Sequence, residues 1–286
     1  MTLAEFRRIA IAKGQVGIMA LGQSGFVLRF PDAQVLVDGY FSAHPDRLLE
    51  PPFRPDEAKG FDMIAFTHEH GDHMDLDAVP HLAQASPGAR LIAPEPCVEM
   101  LTGAGIPRER ITAIAAHEAV TLGGAEIVGV PARHAVAAGD PYTFGEEGAH
   151  GVRFLGYAFR GDGVSVYQAG DTLEYEGLAE SLLTLHVDVA LLPINGRDAE
   201  RERKGIAGNM DAEEAADLAI RAGVDVVVPT HYDMFAANPG YPGRLVEAVR
   251  QRSNGPTVVT LSAGSCFIYT KLMIHARSER FVESTG

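Results

Sequence analysis

From Gln15 to Asp38 the chain sets out three short apolar runs, VGIMALG, GFVLRF and AQVLVD, divided by Gly22 to Gly25 and by Pro31-Asp32. Runs of this length, rich in branched and aromatic residues and broken by turn formers, predict an antiparallel meander. The run from Asp62 to Thr67 (DMIAFT) is continuously apolar and ends in a cluster of histidines. That pattern predicts a buried strand delivering polar side chains at its C-terminal edge. Leu76 to Ala85 follows with helical character, and Asp75 or Asp77 stands where a cap is needed. Further strands are predicted at Arg90 to Ala93, Glu126 to Val130, Phe154 to Phe159, Val164 to Gln168, Val187 to Leu192 and Val224 to Val228. Helices lie between them, most clearly over Ala212 to Ala222 and Arg244 to Arg250. Hairpins first, then strand and helix in alternation, predict an α/β fold of the four-layer αββα sandwich type, two mixed β-sheets flanked by helices, rather than one doubly wound sheet.

The length of 286 residues fits one large core, so residues 1–286 are expected to form a single domain. There is no internal repeat, low-complexity tract or linker to divide it. A hydrophobic share of 46% is that of an ordinary globular protein. The formal charge of -14 leaves no basic surface for phosphates, which argues against a nucleic-acid partner and leaves a small-molecule substrate. Small anions stay open, because bound cations reverse the local field. The opening MTLAEFRRIAIAKGQ lacks the apolar stretch of a signal peptide, and no segment is apolar enough to span a bilayer. With Cys97 and Cys266 as the only cysteines, the composition suits a cytoplasmic protein that acts alone or as a simple homo-oligomer.

The segment Thr67-His68-Glu69-His70-Gly71-Asp72-His73-Met74-Asp75 packs three histidines of the chain's 11 into one turn with carboxylates beside them. Neutral imidazole and carboxylate are the preferred ligands of zinc and similar divalent ions. His68 and His70 point to one side of an extended backbone, and Asp72 and His73, past the bend that Gly71 permits, can face a second position close by. Glu69, between two histidines, is expected to face outward or to support a ligand, and Asp75 to cap the helix. Three later residues also stand at the ends of apolar runs: His134 after IVGVP, Asp171 after GVSVYQ, and His231 after VVVPT. Each alone could be a solvated or capping turn residue. Together with HxHxDH they predict one metal centre of His68, His70, Asp72, His73, His134, Asp171 and His231. The other histidines have no such partner, His150 in a long loop being the exception to keep in view.

With HxHxDH followed by a distant His, Asp and His in that order, the chain resembles the metallo-β-lactamase superfamily over essentially its whole length. The resemblance implies two divalent metal ions, manganese or zinc: His68, His70 and His134 on one, Asp72, His73 and His231 on the second, and Asp171 bridging. THEHGDHMD, AGDTLEY, DVALLPINGRD and VVVPTHYDMF are most similar to the L-ascorbate-6-phosphate lactonase-like branch. The chain departs from that branch at Tyr232, where the lactonase has another histidine, and in lacking its N-terminal extension. The implied chemistry is hydrolysis by a metal-bound hydroxide, with Asp72 or Asp171 orienting the water or passing on its proton. The expected substrate is a small sugar-type lactone, with or without a phosphate. Phosphodiester, ester, thioester and β-lactam hydrolysis share such a site, and a metal-binding protein without catalysis is the non-enzyme alternative. Asn195, Arg197, Tyr232 and Arg153 are the candidate substrate anchors, and the loops at 137–151 and 197–208 are long enough to be functional.

Overall fold

The computed structural model describes residues 1–145 and 151–271. The predicted meander forms β1 (Gln15–Gly22), β2 (Gly25–Phe30) and β3 (Ala33–Val37), followed by β4 (Met63–Ala65), β5 (Arg90–Pro94) and β6 (Ile111–Ile114). The second half gives β7 (Ala119–Leu122), β8 (Ala125–Pro131), β9 (Leu155–Gly161), β10 (Val164–Gln168), β11 (Val189–Pro193), β12 (Val226–Thr230) and β13 (Thr257–Val258). The chain then returns as β14 (Cys266–Thr270) to the open edge of β1. Two seven-stranded sheets result, in the orders β14-β1-β2-β3-β4-β5-β6 and β13-β12-β11-β10-β9-β8-β7. Both are mixed, antiparallel on one side and parallel on the other: β3 to β6 pair in parallel in the first, β10 to β13 in the second.

Period-two alternation explains why so many strands read as unbroken apolar runs. Val35 and Val37 face the other sheet while Leu36 faces helices, and Val189 and Leu191 face inward while Ala190 and Leu192 face outward. The outer face of the first sheet carries α1 (Leu3–Arg8), α2 (Val79–Ala85) and α3 (Val98–Gly103). The outer face of the second carries α4 (Leu178–Thr184), α6 (Ala212–Arg221) and α7 (Pro242–Arg250), while the short α5 (Ala199–Arg203) sits in the loop after β11. This is the αββα sandwich that the patterning predicts. No helix among the described residues is long and apolar enough to cross a membrane.

Where the elements differ from expectation, the cause is local. Helix α2 starts at Val79 rather than Leu76, because residues 75–78 form a turn in which Asp75 Oδ1 accepts the Ala78 N–H at 3.2 Å. The other Asp75 oxygen accepts the N–H groups of Phe41 and Ser42 at 2.8 and 2.7 Å, so the residue caps the turn and also ties in the loop after β3. Strands β6, β7, β13 and β14 lie outside the predicted runs: β6 and β7 have four residues each, β13 has two, and β7 and β14 are largely outside the buried core. Strand β12 runs on through Pro229 to Thr230, which makes His231 the first residue beyond it.

Strand direction decides where the polar ends gather. Strands β3 and β4 are parallel, as are β10, β11 and β12, and β8 is antiparallel to β9 and so runs with β10. The C-terminal ends of β3, β4, β8, β10 and β12 therefore open on one edge of the sandwich. The sheets meet closely: a Cβ at Gly161 on β9 would lie 2.8 Å from Cδ1 and 3.2 Å from Cβ of Phe30 on β2. Because the obstacle includes the base of a buried ring, Gly161→Ala is expected to cost about 1–3 kcal/mol, read as a lower urea midpoint at unchanged slope.

Candidate metal centre

All seven predicted ligands come together at that edge. His68 Nε2 lies 3.0 Å from His70 Nδ1, which is 3.3 Å from His134 Nε2. Asp72, His73 and His231 form a second group, with His231 Nε2 at 3.3 Å and His73 Nε2 at 3.9 Å from Asp72 Oδ2. Asp171 stands between them, Oδ1 at 3.2 Å from His73 Nε2 and Oδ2 at 3.3 Å from His231 and 3.7 Å from His134. Within each triad the donor atoms lie inside 4.8 Å of one another, a spacing one cation can close. His73 Nε2 and Asp171 Oδ1 are buried and face each other outside hydrogen-bond geometry, as donors waiting on a shared cation would.

Contacts on the far side of each ring aim the donors inward. The Asp38 carboxylate, at the end of β3, accepts from Thr67 N at 2.9 Å, Thr67 Oγ1 at 2.8 Å and His73 Nδ1 at 2.9 Å. Thr67 Oγ1 in turn meets His68 Nδ1 at 3.0 Å, and His70 Nε2 meets the Val136 carbonyl at 2.8 Å. With the Nδ1 of His68 and His73 and the Nε2 of His70 occupied, the opposite nitrogens are left for a metal. Gly170 lets β10 turn toward the site: it has φ +60° and a Cβ there would sit 2.8 Å from Thr67. Asp38, Gln23 and His231 are non-glycine residues with φ of 46°, 54° and 58°, so left-handed backbone concentrates at the site.

Burial and charge separate the histidines. Burial pushes His68 well below the ordinary imidazole value, and His134 down to about 3, so both are neutral. Burial also opposes the charging of His73 and His231, but the surrounding carboxylates outweigh it. Asp171, Asp72 and Asp38 hold His73 well above its ordinary value, and Asp171 with Asp72 raises His231 to about 9. The same imidazoliums hold Asp72 and Asp171 below the carboxylate range against the pull of burial.

The centre opens into a cavity of about 760 Å³ walled by Tyr40, His44, Val136, Ile206, Phe235 and Asn238 among others. None of the four predicted anchors lines it, because their polar groups are already bonded elsewhere. Arg197 holds Glu214 through both terminal nitrogens, at 2.6 and 2.7 Å. The Tyr232 hydroxyl donates to the Leu261 carbonyl at 2.9 Å, and Arg153 pairs with Glu69. Asn195 is buried behind the wall, donating to Asn238 at 3.0 Å. Glu69 thus serves Arg153, whose guanidinium lies over Phe154, the ring packed on His68, His70 and His134. The loops meet where Gly208 N donates to the Tyr142 hydroxyl at 2.8 Å, while His150 lies outside the described residues.

Sequence reasoning missed Asp38, Gln23 and Asn238. Asp38 carried the signal that marked Asp171, an acid closing an apolar run. Gln23 donates to Asp72 Oδ2 at 2.7 Å, and nothing in its local pattern distinguishes it from a turn residue. His44, expected to be on the surface or locally bonded, is both: it is exposed at the cavity rim, edge-on to Phe235, and its Nδ1 accepts the Asp46 N–H at 3.2 Å.

A family model described as a beta-lactamase superfamily domain matches residues 33–232, a span that takes in Asp38 and all seven candidate ligands. A UPF0173 metal-dependent hydrolase of Thermococcus onnurineus is 31% identical over 230 residues, covering 78% of this chain and 89% of the relative. A probable L-ascorbate-6-phosphate lactonase of Shigella boydii is 28% identical over 203 residues, 66% of this chain and 54% of the lactonase. Among solved structures, Igni18, a metallo hydrolase of Ignicoccus hospitalis, aligns with a TM-score of 0.70 at 23% identity, over 90% of this chain and 100% of that one, a likeness of fold.

Two outcomes follow from the geometry. Since His73 and His231 are protonated at pH 7 in the metal-free protein, loading with Zn²⁺ or Mn²⁺ is expected to release about two protons per chain, measured by indicator dye in weak buffer. The sign is set by the raised values: metal uptake weakens as pH falls, and the proton yield shrinks as pH rises through about 9 for His231. Asp38→Asn, which leaves all seven candidate ligands in place, is expected to weaken metal binding about 10–100-fold, as read by competition with a chromophoric chelator.

Proposed function

Because the chain belongs to the beta-lactamase superfamily of metal-dependent hydrolases, we propose that it is a lactonase acting on a small sugar-type lactone. The observation that carries this is the pair of triads, His68 with His70 and His134 and Asp72 with His73 and His231, with Asp171 between them at the floor of an open cavity with room for a small-molecule substrate. Identity of 28% to a probable sugar-phosphate lactonase supports the choice of a lactone among the esters such a site could open.

His68, His70 and His134 would hold one divalent ion and Asp72, His73 and His231 a second, with Asp171 between. Cations so held supply Lewis acidity at the acyl oxygen and an activated water near neutral pH. The chain's own residues do the rest. Asp38 and Thr67 fix the His68 and His73 rings so that neither turns when substrate enters. Asp72 is the more open carboxylate, its side chain 26% exposed against 5% for Asp171, and it is the one placed to pass a proton toward the cavity. Gln23 Nε2 on Asp72 Oδ2 keeps that carboxylate turned to the site. The apolar wall of Val136, Ile206 and Phe235 limits water around the ring being opened.

The test is proton release by metal-reconstituted protein on a lactone panel, with bis(p-nitrophenyl) phosphate alongside. Turnover of lactones is expected, with Asp171→Ala lowering it by about 10²-fold or more. Hydrolysis of the phosphodiester alone would move the assignment to phosphodiesterase.

A further inference from the structure

The cavity above the metal centre has a distinctive charge lining. Glu69, Asp75 and Asp77 face it besides Asp72 and Asp171, and among the described residues no lysine or arginine lines it. Three arginines stand close behind the wall, and each is bound to protein acceptors. Arg47 donates to the carbonyls of Tyr40 and Ser42 at 3.0 Å each, and Arg153 pairs with Glu69. Arg201 binds Asp198 at 2.6 Å and Asn238 Oδ1 at 3.1 Å. Glu69 is already paired with Arg153, Asp75 is filled by the N–H groups of Phe41, Ser42 and Ala78, and Asp72 and Asp171 face the cations, so a phosphate on a substrate's far end would find no free basic side chain along the wall and would lose solvation there without a partner.

Among the neutral donors on the wall, which include the Tyr40 hydroxyl, Asn238 is the one whose direction is fixed by its neighbours. Guanidinium has donors only, so the Asn238 atom facing Arg201 must be Oδ1. The Asn195 atom that meets Asn238 Oδ1, at 3.0 Å, must then be Nδ2, and Asn195 Oδ1 accepts from Asn209 Nδ2 at 3.1 Å. A single arginine thus sets the direction of three successive amides, two of them buried. Asn238 lines the cavity, both acceptor positions of its Oδ1 are filled by residues behind the wall, and no acceptor among the described residues takes its NH₂, which is left free to donate.

We propose that the cavity selects an uncharged, hydroxyl-bearing lactone over its phosphorylated form, and that Asn238 is the positioning residue that donates to a ring or hydroxyl oxygen. The word lactone rests on the reading above; the selection against phosphate and the donor rest on the cavity itself. The donor is set before substrate arrives, so little ordering is lost on binding.

The experiment separates the two. Metal-reconstituted protein is titrated calorimetrically with D-glucono-1,5-lactam, a stable isostere of the lactone, and with the lactam 6-phosphate, while turnover of D-glucono-1,5-lactone and its 6-phosphate is followed in parallel. The neutral lactam is expected to bind about tenfold or more tightly than its phosphate. Asn238→Asp keeps the shape and both accepted bonds, and is expected to weaken lactam binding about tenfold, raising KM for the lactone more than it lowers kcat. Asn238→Ala repeats the measurement should the aspartate variant not fold, metal content and melting temperature serving as controls. Selective lactam binding without turnover of either lactone would sink the lactonase reading and leave this proposal standing. Equal or tighter binding of the phosphate, no binding of either lactam, or full lactam affinity in the folded variants would overturn it.

Discussion

The Asp38 carboxylate is the contact on which the centre depends. It ends β3 in a left-handed turn and binds both the backbone and the hydroxyl of Thr67 and the ring of His73. Those bonds join two parallel strands at their ends and at the same time choose which nitrogen of each histidine faces inward. A buried carboxylate without partners would be strongly destabilising, so the three donors and the acid stabilise one another or fail together. Metal geometry in this chain is thus a consequence of strand pairing, since β3 and β4 must be in register for Thr67 to meet Asp38.

The sandwich supplies the second half of the constraint. His134, Asp171 and His231 come from the other sheet, so the site exists only when the two sheets are packed. Packing at Phe30 and Gly161 therefore bears on the chemistry, though both lie in the core between the sheets, away from the ligands. The cost of bringing carboxylates and imidazoles into a buried space is offset, in the metal-free chain, by charging His73 and His231. Those protons are the ones a cation displaces, so folding, metal uptake and pH are linked through the same side chains.

Around the centre the polar groups divide into those that face the cavity and those that hold the wall. Arg47, Arg153, Arg197 and Arg201 all belong to the second kind, each satisfied by carbonyls or carboxylates of the chain. The result is a cavity with acidic and apolar lining and one oriented amide donor, distinct from a basic groove that would hold a polyanion.

Much of this was legible in sequence. Continuous apolar runs gave the buried strands because both faces of each sheet are covered, and HxHxDH with His134, Asp171 and His231 stood out because metal-type residues closed those runs. The four-residue β6 and the half-exposed β7 left too short a signal. The anchors Asn195, Arg197, Tyr232 and Arg153 had the right chemistry and proximity along the chain, yet their hydrogen bonds are made to Asn238, Glu214, Leu261 and Glu69, partners from 29 to 84 residues distant or, for Arg197, 17. Residue type and strand-end position determine what a side chain can ligate, and these the sequence alone contains. Which polar groups remain free to face a substrate depends on which are already satisfied by distant neighbours, and only the packed tertiary structure decides that.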